Sequence, residues 1–140
     1  MEKVTRFSVS MEPGLLRAFD RRLTKAGYDS RSRAVQDIVR SYLVDEQWQE
    51  AGAQVVGTVT IVYDHHDRDI EQRLTEFQHV HHDAIACTTH VHLDSHDCLE
   101  VIVVRGKAAK VRDLAEQIIT APGVKHGRLV CTAATGQLHD

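Results

Sequence analysis

No stretch of this sequence stays apolar for anything near the roughly 18 residues that a membrane-spanning helix requires. It also does not open on the apolar run of a secretory signal, since it begins Met1-Glu2-Lys3-Val4-Thr5-Arg6. A cytoplasmic location is the expectation. Cysteine is scarce: Cys87, Cys98 and Cys131 are the whole supply. In a chain without export signals these read as reduced thiols, which excludes a disulfide framework. Strong charge is missing too, with a net value of -3 over 140 residues.

That small total conceals two asymmetries. Residues 1–40 hold nine Lys/Arg against five Asp/Glu, whereas the remaining hundred hold eight against fifteen. Histidine is absent from the first 64 residues; all ten follow, eight of them between His65 and His96. A basic segment attached to an acidic, histidine-rich body suggests two jobs. The division falls where a helical pattern gives way to a β-rich one, giving domains 1–50 and 51–140.

In the first domain, residues 6–11 alternate polar and apolar, the period-2 pattern of a half-buried strand. Phe7, Val9 and Met11 point one way, and Arg6, Ser8 and Ser10 the other. Pro13 then opens a helix with an apolar stripe of Leu15, Leu16, Phe19 and Leu23, closed by Gly27. Ser30 can cap a second helix, which carries Ala34, Val35, Ile38, Val39, Tyr42 and Leu43 to about Gln49. One strand and two helices bury too little surface alone, and a lone strand leaves its backbone groups unpaired. A dimer that pairs two copies of the strand solves both problems. It presents Arg6, Ser8 and Ser10 on a two-stranded ribbon that fits a DNA major groove and can read base edges. Ser30, Arg31, Ser32 and Arg33, at the start of the second helix, offer N–H groups and positive charge to phosphates. The plainer alternative is a dimerisation module with a polar outer face.

In the second domain a β-rich run over residues 55–63 precedes a helix bearing Ile70, Leu74 and Phe77. Strands follow over 85–93 and 98–105, then a helix over 108–119, and, after Pro122-Gly123, a strand over 124–132. The order β-α-β-β-α-β makes the chain α+β, its second domain a ferredoxin-like (ACT-like) split βαβ fold. That fold serves many functions and specifies none.

In a strand, His90 and His92 share a face and can hold one ion together. If His92 lies opposite Cys98, with 93–97 crossing over, the thiolate joins them; a one-residue slip sends it away. The apolar pattern favours the first register. It gathers Thr89, Val91, Leu99, Val101 and Val103 on a face expected to cover the helices, leaving His90, His92, Cys98 and Glu100 on the other. Glu100 could then orient a ligand imidazole. His79, His81 and His82 are all possible fourth donors. Cys87 and Cys131 read as small buried hydrophobes.

The first domain, through Val4-Thr5-Arg6-Phe7-Ser8-Val9-Ser10, Leu15-Leu16 and Tyr28-Asp29-Ser30-Arg31-Ser32, resembles the ribbon-helix-helix (β-α-α) module of the nickel-responsive regulators. The second resembles them in the spacing His-x10-His-x-His-x5-Cys, with Gln78, Cys98-Leu99-Glu100 and Gly123-Val124-Lys125-His126-Gly127 alongside. The resemblance implies a planar Ni(II) site of His79, His90, His92 and Cys98, with His79 supplied by a neighbouring subunit. Such donors suit Ni, Cu and Zn, and planarity favours Ni(II) or Cu(II). It also implies accessory contacts near Tyr63 and His65, a homotetramer built as a dimer of dimers, and repression at a palindromic DNA operator. One departure stands out: where relatives often carry an acidic residue one turn before Asp37, this chain has Arg33. An internal ion pair could there replace a bound cation. No His-Glu-x-x-His helix supports a metalloenzyme. A metal store would explain residues 65–96 but not the ribbon. A repressor sensing another metal remains the nearest alternative.

Overall fold

A computed structural model describes residues 3–133 of the chain. Its elements are α1 (Pro13–Ala26), α2 (Arg31–Gln49), β1 (Gln54–Asp64), α3 (Arg68–Val80), β2 (Ile85–His92), β3 (Asp97–Lys107), α4 (Ala108–Ile119) and β4 (Val124–Thr132). They form two compact units, divided between Val39 and Arg40.

The first unit holds α1 and the start of α2. Proline opens α1, and Gly27 ends it in the left-handed conformation at φ 80°, its N–H donating to the Leu23 and Thr24 carbonyls. At the head of α2 the Ser30 hydroxyl accepts from the Arg33 N–H at 3.2 Å, the expected cap. The expected strand over 6–11 is not formed within this single chain, which offers it no neighbouring strand. Phe7 and Val9 are consequently 68% and 66% exposed.

The division at residue 39 lies earlier than the sequence suggests, because the end of α2 is built into the second unit. Trp48 is buried in one core with Val55, Val59 and Val104. Its indole N–H donates to the Thr132 carbonyl at 3.0 Å, and the Arg112 guanidinium donates to its own carbonyl. Gly57 makes room for the ring: a Cβ there would lie 3.1 Å from the indole and 2.8 Å from the Val130 oxygen.

The second unit is a four-stranded sheet in the order β2-β3-β1-β4. Every neighbouring pair is antiparallel, so the observed topology is the split βαβ arrangement. The Asp67 carboxylate caps α3 by accepting from the Asp69 and Ile70 N–H groups. Ile70 and Leu74 of α3, with Val111, Ala115 and Ile118 of α4, pack on Val59, Ile61, Tyr63, Ile102 and Val104 of the sheet.

That packing corrects the expected faces. Along β3, Cys98, Glu100, Ile102 and Val104 are buried, whereas Leu99, Val101 and Val103 are half-buried. The helices therefore cover the face that carries Cys98 and Glu100, not the one with Val91, Leu99 and Val101. Both faces of β3 are apolar beyond Glu100, so alternation alone does not choose between them. The buried row of β1, Val59-Ile61-Tyr63, supplies the larger side chains that meet the helices. Among the described residues no helix is long and apolar enough to cross a membrane.

Candidate metal centre

The β2–β3 hairpin places His92 opposite Cys98 and His90 opposite Glu100. All four side chains then share one face of the pair. The turn fixes this register. The Leu93 N–H donates to the Asp97 carbonyl at 2.9 Å, and the Asp94 carboxylate accepts from the N–H groups of His96 and Asp97 at 2.7 and 2.8 Å. Side-chain capping of this kind is what aspartate contributes to tight turns.

Cys98 Sγ lies 3.4 Å from His92 Nδ1, and the His90 and His92 rings are 5.2 Å apart. The thiol is fully buried. Burial pushes its pKa up, and the Glu71, Asp97, Asp64 and Glu100 carboxylates push it the same way. A metal ion binding there must displace a proton.

Tyr63 sits opposite Cys98 on β1, its phenol oxygen 3.2 Å from His90 Nδ1. Burial, then the Glu100 carboxylate, raises the phenol pKa, so it stays protonated. With a proton on Nδ1, His90 donates to the phenol oxygen and keeps Nε2 free as a lone pair, the outer contact that metal-binding histidines use. Glu100 is buried and accepts from the Gln78 side-chain amide at 3.2 Å. Gln78 precedes His79 on α3, so one amide ties the sheet carboxylate to the residue beside an expected ligand. The sequence offers only Gln78's position as a hint of this, because its partner lies 22 residues away.

His65 comes closer than an accessory position suggests. Donor atoms of His65, His92 and Cys98 all lie within 4.8 Å of one another. The His65 ring stands perpendicular to that of His92 at 5.5 Å, and its Nδ1 is buried without a hydrogen-bond partner. Two imidazoles, a thiol and an orphaned ring nitrogen fit a borderline divalent transition metal. Asp64, His65 and His66 form a second such group.

His79 lies in the last turn of α3 and belongs to neither group of donors among the described residues. The chain by itself brings His92 and Cys98 into contact, places His90 beside them and leaves His79 out. Cys87 and Cys131, expected to be buried, are exposed; they lie on the two outer strands of the sheet, where this chain supplies no further neighbour.

Arg6, Ser8 and Ser10 are exposed. The residues expected to meet phosphates are partly engaged with their own chain. Ser30 caps its helix, Ser32 accepts from the Gln36 amide at 3.4 Å, and Arg31 makes two bonds to Asp20 at 2.8 and 2.7 Å. Arg33 lies 3.7 Å from Asp37, which also accepts from the Tyr28 hydroxyl at 3.0 Å. The internal pair that the sequence suggests at this position is therefore formed.

Residues 56–132 match the family described as the NikR C-terminal nickel-binding domain. Similar full-length chains include one from Geotalea uraniireducens, 48% identical over 99% of this chain and 100% of its own length. Another, from Geobacter sp. strain M21, is 50% identical with the same coverage. A third, from Thermococcus onnurineus, is 46% identical over 97% of this chain and 99% of its own. All three bear the provisional name of nickel-responsive regulator.

Proposed function

The chain belongs to the family of nickel-responsive regulators, and from that premise we propose that it is a cytoplasmic transcriptional repressor of nickel-uptake genes whose operator binding requires Ni(II). The ligands in this reading are His79, His90, His92 and Cys98. The observation that carries it is the hairpin register, which sets His92 against Cys98 with sulfur and nitrogen 3.4 Å apart.

The chain's own residues divide the work. Cys98 and His92 offer a preassembled thiol and imidazole on the covered face of the sheet. Tyr63 holds the His90 ring through Nδ1, and Glu100 with Gln78 steadies the strand beside it. His79 reaches the site only from another copy, which makes assembly part of binding. Two features support a dimer of dimers. Phe7, Val9 and Met11 lie uncovered on the N-terminal segment, as a ribbon awaiting its second strand would leave them. The outer face of the sheet exposes Val91 by 43% and Val130 by 57%.

Nickel held by donors from two chains would link them, favouring the arrangement in which two ribbons meet a palindromic operator. Operator affinity then rises by the difference in metal affinity between the DNA-competent state and the others, and DNA tightens metal reciprocally. Four protein donors leave no open position for a substrate, which weighs against a metalloenzyme.

Titration of the protein on a palindromic operator with Ni(II), Zn(II), Cu(II) and chelator in parallel tests this. The expected result is tightening that is strongest with Ni(II) and lost in His90→Ala. Metal binding with no change in operator affinity would overturn it in favour of a metal store, to which the Asp64-His65-His66 group would contribute.

A further inference from the structure

Cys98 and His92 belong to two donor sets. One needs His79 and therefore a second chain; the other is complete within a single chain. His65 follows directly after β1, and its backbone N–H donates to the His96 carbonyl at 2.8 Å. That bond pins it to the same turn that sets His92 against Cys98. Its ring stands between His66, 4.0 Å away, and His92, 5.5 Å away. A buried Nδ1 without a partner costs free energy that nothing else in the chain returns.

We propose that His65, His92 and Cys98 form a three-donor metal site within one chain, which holds a borderline divalent ion before, or without, recruitment of His79 from another copy. The inference rests on Cys98 being a metal ligand, as in the functional reading above. Two imidazoles and a thiolate, with water in the fourth position, make a donor set that Zn(II) and Co(II) accept tetrahedrally. The ion takes the place of the thiol proton on Cys98, and that proton leaves to solvent. Because the two sets share Cys98 and His92, a chain holds one ion in either set and never in both. Ni(II) captured by one chain can pass to the four-donor set when His79 arrives, with His65 leaving and Cys98 and His92 keeping hold throughout. An ion that prefers the tetrahedral set stays with His65 and does not draw in the second chain.

The test uses the full-length His79→Ala chain, which lacks the four-donor set, with Co(II) as a spectroscopic probe. The expected result is one equivalent of Co(II) per chain with a sulfur-to-metal charge-transfer band. Adding His65→Ala, or His65→Gln to keep a polar side chain, should weaken that binding at least about 10-fold, whereas adding His90→Ala should change it by no more than about twofold. In otherwise wild-type protein, His65→Ala should slow the appearance of the Ni(II)–thiolate band in stopped flow and leave its final amplitude unchanged. Circular dichroism of each metal-free variant confirms the fold. Binding in His79→Ala that ignores His65 but depends on His90 would overturn the three-donor site alone. A wild-type chain whose Ni(II) spectrum is the same with and without Cys98 would instead overturn the functional reading itself.

Discussion

Cys98 and His92 face each other across the β2–β3 hairpin, with sulfur and Nδ1 3.4 Å apart beneath the helix layer. One is fully buried and the other exposed at the sheet margin, so the pair joins a dry thiol to an accessible imidazole. An ion can enter from the histidine side and finish on the sulfur.

Cys98→Ala should therefore abolish Ni(II)-dependent operator binding while the chain still folds. Loss of one buried sulfur costs about 1 kcal/mol, a typical value for a core truncation of this size. Operator titration with and without Ni(II), beside a thermal melt, separates the two effects. Wild-type tightening by Ni(II) in this variant would refute the ligand set.

Metal affinity should fall with pH across the neutral range. The Cys98 thiol is protonated there, its pKa raised above the ordinary 9.0 by burial and by neighbouring carboxylates. Each unit of acidification then weakens apparent Ni(II) binding by up to about tenfold through this one proton. Without metal the stability effect runs the other way. A raised thiol pKa stabilises the fold fully below the ordinary value, and this contribution is lost as pH rises through the folded one. Competition titrations at several pH values measure the first, and denaturant titrations of the apo chain the second.

Tyr63→Phe keeps the buried ring and removes the oxygen that meets His90. Nickel affinity should drop by about 10- to 100-fold, the usual cost of losing an outer contact to a ligand histidine. Chelator competition reads the change, and an unaltered affinity would show that His90 needs no such support.

Gly57→Ala tests how the end of α2 is built into the second unit. Its Cβ would meet the Val130 oxygen at 2.8 Å and the Trp48 ring at 3.1 Å. Overpacking of this kind costs about 1–3 kcal/mol, measurable by urea unfolding. Tryptophan fluorescence should shift as the indole gives way.

Arg6→Ala should leave nickel uptake intact and erase discrimination between operator and random DNA, since a base-edge contact is worth about 1–3 kcal/mol. Filter binding on both DNAs decides it. Unchanged discrimination would remove Arg6 from the readout.

Much of this was written locally. Pro13 and Gly27 bracket α1, Ser30 caps α2, and the strand and helix periods of residues 54–132 reappear as the observed elements. The alternation of His90 and His92, with Asp94 and Asp97 available to close the turn, already contained the register that reaches Cys98. These features depend on backbone preferences and spacing over a few residues, which the sequence determines by itself. Tertiary structure decided what depends on distant partners. With both faces of β3 apolar, the layer of α3 and α4 chose the face with Cys98 and Glu100. Trp48 joined the second unit because Gly57 and Arg112 receive it, and Gln78 found Glu100 across the fold. His65 entered the metal cluster because β1 ends beside a hairpin turn some thirty residues further on, as its bond to the His96 carbonyl records. No local pattern encodes such meetings, because each depends on chain segments that come together only when the sheet closes.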